Sequence, residues 1–337
     1  MYLHPVELKL RHAFTTTHET RQSVWSLIVQ LTQDGHAGLG EAVAIRYYGL
    51  KIEDMQARLR AIQPWLEAYP LNSPEQFWED LQMLADAPFL RCALDVAAHD
   101  LYGKLHGHKV YERQGLSPKG MPLSNFTIGI AGPEEMLAKM QEQPWPVYKI
   151  KLDAEHGLDT VRFLRKHTDA TFRIDANTGW TAAQALEYAP QLKELGVEMI
   201  EQPLPVDDWE GMAALFPACP LPLIADESCQ TEEDVERCHG YFHGINIKLM
   251  KCGGLTPAYR MAKRARELGM QVMAGCMTES SVGISAIAQL LSLLDYVDMD
   301  GAMLLANDPA EGVWLQDGRA QFPGRPGTGA QLKSERI

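Results

Sequence analysis

Six charged residues recur at an even interval through the middle of the chain: Lys151, Asp175, Glu201, Asp226, Lys248 and Asp300. Successive gaps are 24, 26, 25, 22 and 52 residues, and Cys276 divides the last into 28 and 24. Each residue lies at or just beyond the end of a short apolar run rich in β-branched residues: VYKIK, FRIDA, VEMIEQ, LPLIADE, GINIKL and YVDMD. Amphipathic stretches of helical length separate the runs. A repeat of about 25 residues made of strand, loop and helix is the βα unit of a (β/α)8 barrel, where the C-terminal strand ends converge on one site. Three carboxylates and several lysines are therefore expected in one mouth.

Between Met121 and Met303, eight strands are predicted, near 123–130, 147–151, 171–176, 197–201, 222–226, 244–249, 271–275 and 296–301. Those 183 residues are short for eight complete units, and loop-like sequence follows the last strand, so seven helices with eight strands fit. Thr181-Ala-Ala-Gln184 reads as a capping box, and Thr231-Glu-Glu-Asp234 resembles one. Upstream, Val24–Leu31 and Leu39–Ala44 read as strands joined by the turn at 34–38, followed by helices at 51–69 and 74–85. A further helix carries Leu90, Ala93, Leu94, Ala97, Ala98, Leu101 and Leu105 on one face and stops at Gly107. The Ser-, Pro- and Gly-containing segment Gly115–Pro122 marks a boundary. The expected fold class is thus α/β: a modified TIM barrel, (β/α)7β, over 121–303, with an α+β capping domain at 1–120. The Gly- and Pro-rich tail at 304–337 is expected to return to the cap.

Composition narrows the partners. With a net charge of −13, nucleic acid and anionic membranes are expected to be repelled, which leaves a small molecule as the natural ligand. The six cysteines form no CxxC pair, which suits reduced thiols in a cytoplasm. The start lacks the apolar core of a signal peptide, and Ile284–Leu294 is too short to span a bilayer.

Lys149 and Lys151 stand two apart on one strand and so share a face. Alone, such a pair reads as an exposed edge guarded by lysine. The ladder of carboxylates on the following strands changes that reading. Asp175, Glu201 and Asp226 end three successive strands, where they repel one another unless a cation neutralises them. Hard oxygen ligands without nearby His or Cys favour Mg²⁺ over zinc. Asn177 shares the face of Asp175 and either supports the site or belongs to the loop. Lys248 ends the sixth strand, across the barrel from Lys151, so two bases address opposite faces of one carbon.

That geometry suits moving a proton next to a carboxylate. A positioned base contributes roughly 10²–10⁴-fold, whereas enzymes remove about 8–23 kcal/mol from a barrier. A divalent cation with lysine charges in a dry pocket supplies the difference. Neighbouring cations and burial are expected to depress the lysine pKa values. Lys251 is expected in a loop, Gly253-Gly254 in a tight turn, and His99 in a structural role. Asp298 and Asp300 share a strand face and serve either as helix caps or as a grip on a substrate ammonium.

The set Lys149-Ile-Lys151, Asp175-Ala-Asn177, Glu201-Gln-Pro203, Ala225-Asp226-Glu227-Ser228 and Asn246-Ile-Lys248 resembles the muconate lactonising subgroup of the enolase superfamily. The closer likeness is to dipeptide epimerases of the L-Ala-D/L-Glu type. It extends over essentially the whole chain, including Gly40-Glu41 and ALDVAAHDL. The resemblance implies Asp175, Glu201 and Asp226 as Mg²⁺ ligands, Lys151 as the base toward the (R)-epimer and Lys248 toward the (S)-epimer. It implies that Lys149 holds the substrate carboxylate and that Asp298 and Asp300 grip the α-ammonium of a dipeptide. Thr127, Cys276 and Thr278 match pocket-lining positions. The segment Thr15–Gln22 matches a lid, where Arg21 favours an acidic second residue and Glu19, if turned inward, a cationic one. A homo-oligomer is the expected assembly. Alternatives are a cycloisomerase, an o-succinylbenzoate synthase, an N-acylamino-acid racemase, or a catalytically silent metal and peptide binder.

Overall fold

Parallel pairing accounts for the 25-residue beat. The structure, a computed structural model, describes residues 1–15, 20–152 and 156–334. Eight barrel strands alternate with helices: β4 (Phe126–Ile128), β5 (Val147–Lys151), β6 (Thr171–Asp175), β7 (Val197–Glu201), β8 (Leu223–Ala225), β9 (Gly244–Ile247), β10 (Gln271–Gly275) and β11 (Tyr296–Asp298). They pair in chain order from β4 to β11. A parallel bridge from Ser124 to Val297 joins the two ends of this sheet, which closes the barrel. Lys151 pairs with Asp175 and Asp175 with Glu201 in register, so the even spacing becomes a row of side chains at one level. Near-continuous burial of β5 to β11 fits strands covered on both faces.

Four helices lie in the N-terminal part: α1 (Ile52–Ala68), α2 (Pro74–Asp80), α3 (Pro88–His106) and α4 (Val110–Arg113). The barrel helices are α5 (Pro133–Glu142), α6 (Gly157–Arg165), α7 (Ala182–Glu194), α8 (Trp209–Leu215), α9 (Glu232–Cys238), α10 (Leu249–Cys252), α11 (Leu255–Glu267) and α12 (Ser281–Ile287). The capping boxes predicted at Thr181 and Thr231 open α7 and α9. Gly107, in the left-handed region, ends α3 as expected, and Pro88 opens it. Of residues 74–85, only 74–80 are α-helical, and a 3₁₀ turn covers Gln82–Leu84.

The cap sheet has three antiparallel strands, β1 (Tyr2–Thr15), β2 (Thr20–Gln33) and β3 (His36–Ala44), rather than a hairpin alone. The first strand, a half-buried edge carrying Pro5, is not among those read from the sequence. β3 lies directly on α3. A Cβ at Gly38 or Gly40 would come within 2.1 or 1.9 Å of the carbonyl oxygens of Ala97 and Ala93, so only glycine permits this approach. The adjacent Glu41 is buried and accepts from Ser26 Oγ, Ser280 N and Oγ, and Gly283 N. It thereby pins the start of α12 beside the loop after β10. After β11 the chain returns to α3, where Thr328 N donates to Asp100 and Lys104 Nζ to the Ala330 carbonyl. No helix among the described residues is long and apolar enough to cross a membrane.

Candidate active site

At the mouth, lysines and carboxylates interlock. Lys151 Nζ donates to Asp175 Oδ2 at 2.8 Å and to Asn177 Oδ1 at 2.7 Å. Lys149 Nζ, inside the barrel, lies 2.8 Å from Asp298 Oδ2, 2.9 Å from Glu201 Oε2 and 3.2 Å from Asp175 Oδ2. Lys248 Nζ donates to Asp226 Oδ2 at 2.8 Å. Lys151, Lys149, Lys248, Asp298 and Asp300 line one cavity of about 100 Å³, together with Thr127, Cys276, Thr278 and Arg21. An apolar groove between β1 and α5 is larger but carries none of these carboxylates.

Backbone geometry sets the strand tips. Asn177 adopts a positive φ, unusual for a non-glycine residue, and its N–H bonds back to Asp175 Oδ1. Gln202, also at positive φ, accepts from the N–H groups of Asp226 and Ser228, tying β7 to β8. Asn246 donates to Glu201 Oε1 at 2.7 Å. Asn177, Gln202 and Asn246 therefore orient the three carboxylates. Their place in the short motifs signals this, whereas strand spacing does not.

Charge explains the titration of each group. Burial pushes Asp175 and Asp226 up, but the adjacent lysines outweigh it and hold both below the usual carboxylate range. Glu201 goes the other way, to about 7, through burial and the neighbouring Asp175, against Lys149. The lysines do not behave as expected. Burial lowers Lys248, yet Asp226 more than compensates, and Lys248 lies above its ordinary value; Lys149 is raised likewise. Lys149 and Lys248 are thus raised where the sequence implies depression, because the carboxylates they face outweigh burial and the neighbouring cations.

Lys251 corrects a second expectation. It sits on α10 rather than in a loop, is 4% exposed, and donates to Asp226 Oδ1 at 2.8 Å. Its three-residue offset from Lys248 is the signal that one helical turn brings both amines to one carboxylate.

The Asp298/Asp300 end differs. Asp300 accepts from Thr127 N at 2.6 Å, and Asp298 from Asn125 Nδ2 at 2.8 Å. Burial raises both; Lys149 outweighs it at Asp298, whereas Asp298 itself pushes Asp300 higher still. Cys276 Sγ and an oxygen of each aspartate lie within 4.8 Å of one another. Residues 16–19 of the lid, Glu19 among them, lie outside the described residues, and Arg21 is placed on the cavity wall.

The donor set fits a hard divalent cation. Glu201 Oε2 and Glu227 Oε2 are buried without a hydrogen-bond donor; Lys149 approaches the former at 2.9 Å without aligning a bond on it. Among the described groups, six carboxyls (Asp175, Glu201, Asp226, Glu227, Asp298 and Asp300) stand with four lysines (Lys149, Lys151, Lys248 and Lys251). One divalent cation balances the excess of two negative charges when all are ionised.

A closed parallel barrel with carboxylates ending consecutive strands and lysines on either side defines an enolase-type enzyme. The family described as "Enolase C-terminal domain-like" matches residues 134–336. A Maribacter protein named L-Ala-D/L-amino acid epimerase is 53% identical, over 96% of this chain and 97% of its own. The L-Ala-D/L-Glu epimerase of Bacteroides thetaiotaomicron is 38% identical, over 98% and 87%. A dipeptide epimerase from Methylococcus capsulatus, solved with Mg and L-Arg-D-Lys, superposes with a TM-score of 0.92 at 33% identity, covering 98% of each chain. The chain belongs to the enolase superfamily, among its dipeptide epimerases, and is an isomerase.

Proposed function

We propose that the protein epimerises the second residue of a dipeptide by moving one proton between the two faces of its α-carbon, with L-Ala-D/L-Glu as the best substrate. The observation that carries this reading is that Lys151 and Lys248 open on the same cavity from opposite sides of the carboxylate row, β5 and β9 flanking β6 to β8. Lys151 removes or returns the proton of the (R)-epimer and Lys248 that of the (S)-epimer. Mg²⁺ is the proposed cofactor, held by Asp175, Glu201 and Asp226; when bound it neutralises the substrate carboxylate as charge develops on it. Lys149 sets that carboxylate against the row. Asp298 and Asp300 receive the ammonium, with Thr127 holding Asp300 in place. Cys276 and Thr278 bound the amino-terminal residue.

The small cavity and the L-Ala relatives support a short first residue. Arg21 on the cavity wall supports an acidic second one. Proton NMR in D₂O with Mg²⁺ and a panel of L-Ala-X dipeptides tests the proposal. Deuterium is expected at the α-carbon of the second residue, fastest for Glu; a panel without exchange sinks it.

A further inference from the structure

We propose that Lys251, together with Tyr48 from the cap, is a positioning pair: it fixes one oxygen of Asp226 so that the other is available to a cation and Lys248 is free to move a proton. The inference rests on the epimerase reading above.

Lys248 and Lys251 bond to different oxygens of the same carboxylate, each at 2.8 Å. A carboxylate that takes up a cation cannot keep both ammonium groups at full strength, so one lysine must yield. The surroundings decide which. Lys248 lines the substrate cavity beside Lys151 and has room to swing into it. Lys251 points away, with its side chain 2% exposed, and its charge acts on the Tyr48 phenol. It forms part of the wall of a different cavity, at the seam between cap and barrel, with Tyr48, Met55 and Phe89.

The cap also fixes the backbone of Lys251. Trp78 Nε1 donates to the Gly253 carbonyl at 2.9 Å, and Gly254, at φ 125°, packs so closely on α3 that a Cβ would lie 2.3 Å from Asp95 Oδ2. Tyr48 ends a 3₁₀ turn at Arg46–Tyr48, closed by Gly49, and its ring packs on Phe89 at 5.3 Å. Both lysines are held through the backbone, since the Lys248 carbonyl accepts from Lys251 N and Cys252 N; what separates them is that the side chain of Lys248 lines the substrate cavity and that of Lys251 does not. With Lys251 gone, Lys248 remains the sole lysine on Asp226 and stays engaged there.

Lys251→Met provides the test, with two readouts. Calorimetric titration of Mg²⁺ into substrate-free protein is expected to show affinity reduced by about tenfold or more, the usual cost of losing an outer-layer partner. This sign is diagnostic, because deleting a nearby positive charge would by electrostatics alone tighten Mg²⁺ binding. In D₂O, starting from L-Ala-D-Glu, deuterium exchange is expected to continue through Lys151 while inversion through Lys248 stalls. The ratio of exchange to inversion then rises. Lys251→Arg restores both quantities, and Tyr48→Phe shifts both in the same direction by less.

Unchanged or tighter Mg²⁺ binding overturns the inference, and so does a proportional fall of exchange and inversion. Should Lys251→Met not fold, Tyr48→Phe reads the same two quantities. If the native enzyme neither exchanges nor inverts any dipeptide, the proposed function fails, while the Mg²⁺ titration still tests the role of Lys251.

Discussion

Equally buried carboxylates at the two ends of the cavity titrate oppositely: Asp226 at one is held down and Asp300 at the other is pushed up. At the β6–β8 end, Asp175 and Asp226 each face two lysines and stay ionised despite burial. At the β11 end, Asp298 has Lys149, whereas Asp300, among the described residues, has Thr127, the Cys276 thiol and a like-charged neighbour, and its pKa climbs. Burial alone therefore does not decide a carboxylate's charge: two close lysines each hold Asp175 and Asp226 down, whereas Glu201, with Lys149 at 2.9 Å but with Asp175 and Asp226 beside it, still rises. In the proposed function, Asp175 and Asp226 offer ionised oxygens to a hard metal. In the same proposal, an incoming ammonium supplies the positive charge that Asp300 is not given by a lysine.

The lysines offer the severest way to break this comparison. Lys151→Ala and Lys248→Ala are each expected to lower epimerisation by at least the roughly 10²–10⁴-fold worth of a positioned base. Following the rate of inversion for each variant decides the matter, and a fully active single variant removes that lysine from its role. Next in size is the ammonium end. Asp298→Asn with Asp300→Asn is expected to raise KM for L-Ala-L-Glu by about 10–100-fold, a loss of roughly 1.5–3 kcal/mol typical of hydrogen bonds to charged groups. The same double variant should no longer prefer the free dipeptide over its N-acetylated form. Unchanged kinetics on the true substrate would instead favour an acyl-amino-acid or cycloisomerase chemistry that needs no ammonium grip.

Metal removal sharpens the contrast without relying on turnover. A cation that binds only the folded state at 100 times its Kd adds about 2.7 kcal/mol of stability. EDTA is therefore expected to lower the Tm of the native protein. Asp226→Asn should abolish that Mg²⁺-dependent shift, and Asp298→Asn should leave most of it. Equal loss in both variants would mean that the two ends do not divide the work as proposed.

The barrel was legible because its chemistry is periodic. A charged residue at each strand end, with parallel in-register pairing, turns sequence spacing directly into geometry, and Lys151, Asp175 and Glu201 stand side by side in consequence. Features set by the meeting of distant segments were less accessible. Strand β1 does carry a local signal, Val6, Leu8 and Leu10 alternating with Glu7, Lys9 and Arg11, but Pro5 and its edge position weaken the reading. Lys251 read as a loop residue because its role depends on the cap closing over α10. The pKa of Lys248 was misjudged in direction because sequence spacing counted neighbouring lysines but could not show that Asp226 lies nearer. His99 was rightly set apart from the mouth: it bonds to Thr256 at the seam.

That seam supplies a carboxylate with no lysine at all, and with it the prediction of smallest consequence for turnover. Asp95 is fully buried and accepts from Thr256 N at 3.0 Å and Thr256 Oγ1 at 2.7 Å. Burial outweighs these bonds and carries its pKa to about 7. The folded protein therefore holds a proton that the unfolded chain, with an ordinary value of 3.8, has released. The contribution of Asp95 to stability is complete below pH 3.8, declines as pH rises toward 7, and is level above. Nearby His99, lowered to about 4 by burial, titrates with the opposite sign between pH 4 and 6.5, so native stability alone mixes the two. Because His99 Nε2 lies 3.7 Å from Asp95 Oδ1, Asp95→Asn is compared with its parent in a His99→Gln background, which removes the histidine's titration from both. The variant is expected to be less stable in acid, because the amide disrupts the Thr256 bonds, with the gap narrowing steadily up to about pH 7. Urea midpoints at intervals across pH 4–8 measure it. A gap that stays constant or widens toward pH 7 would mean that Asp95 is ionised in the folded state, and that something other than a lysine can hold a buried carboxylate's charge in this fold.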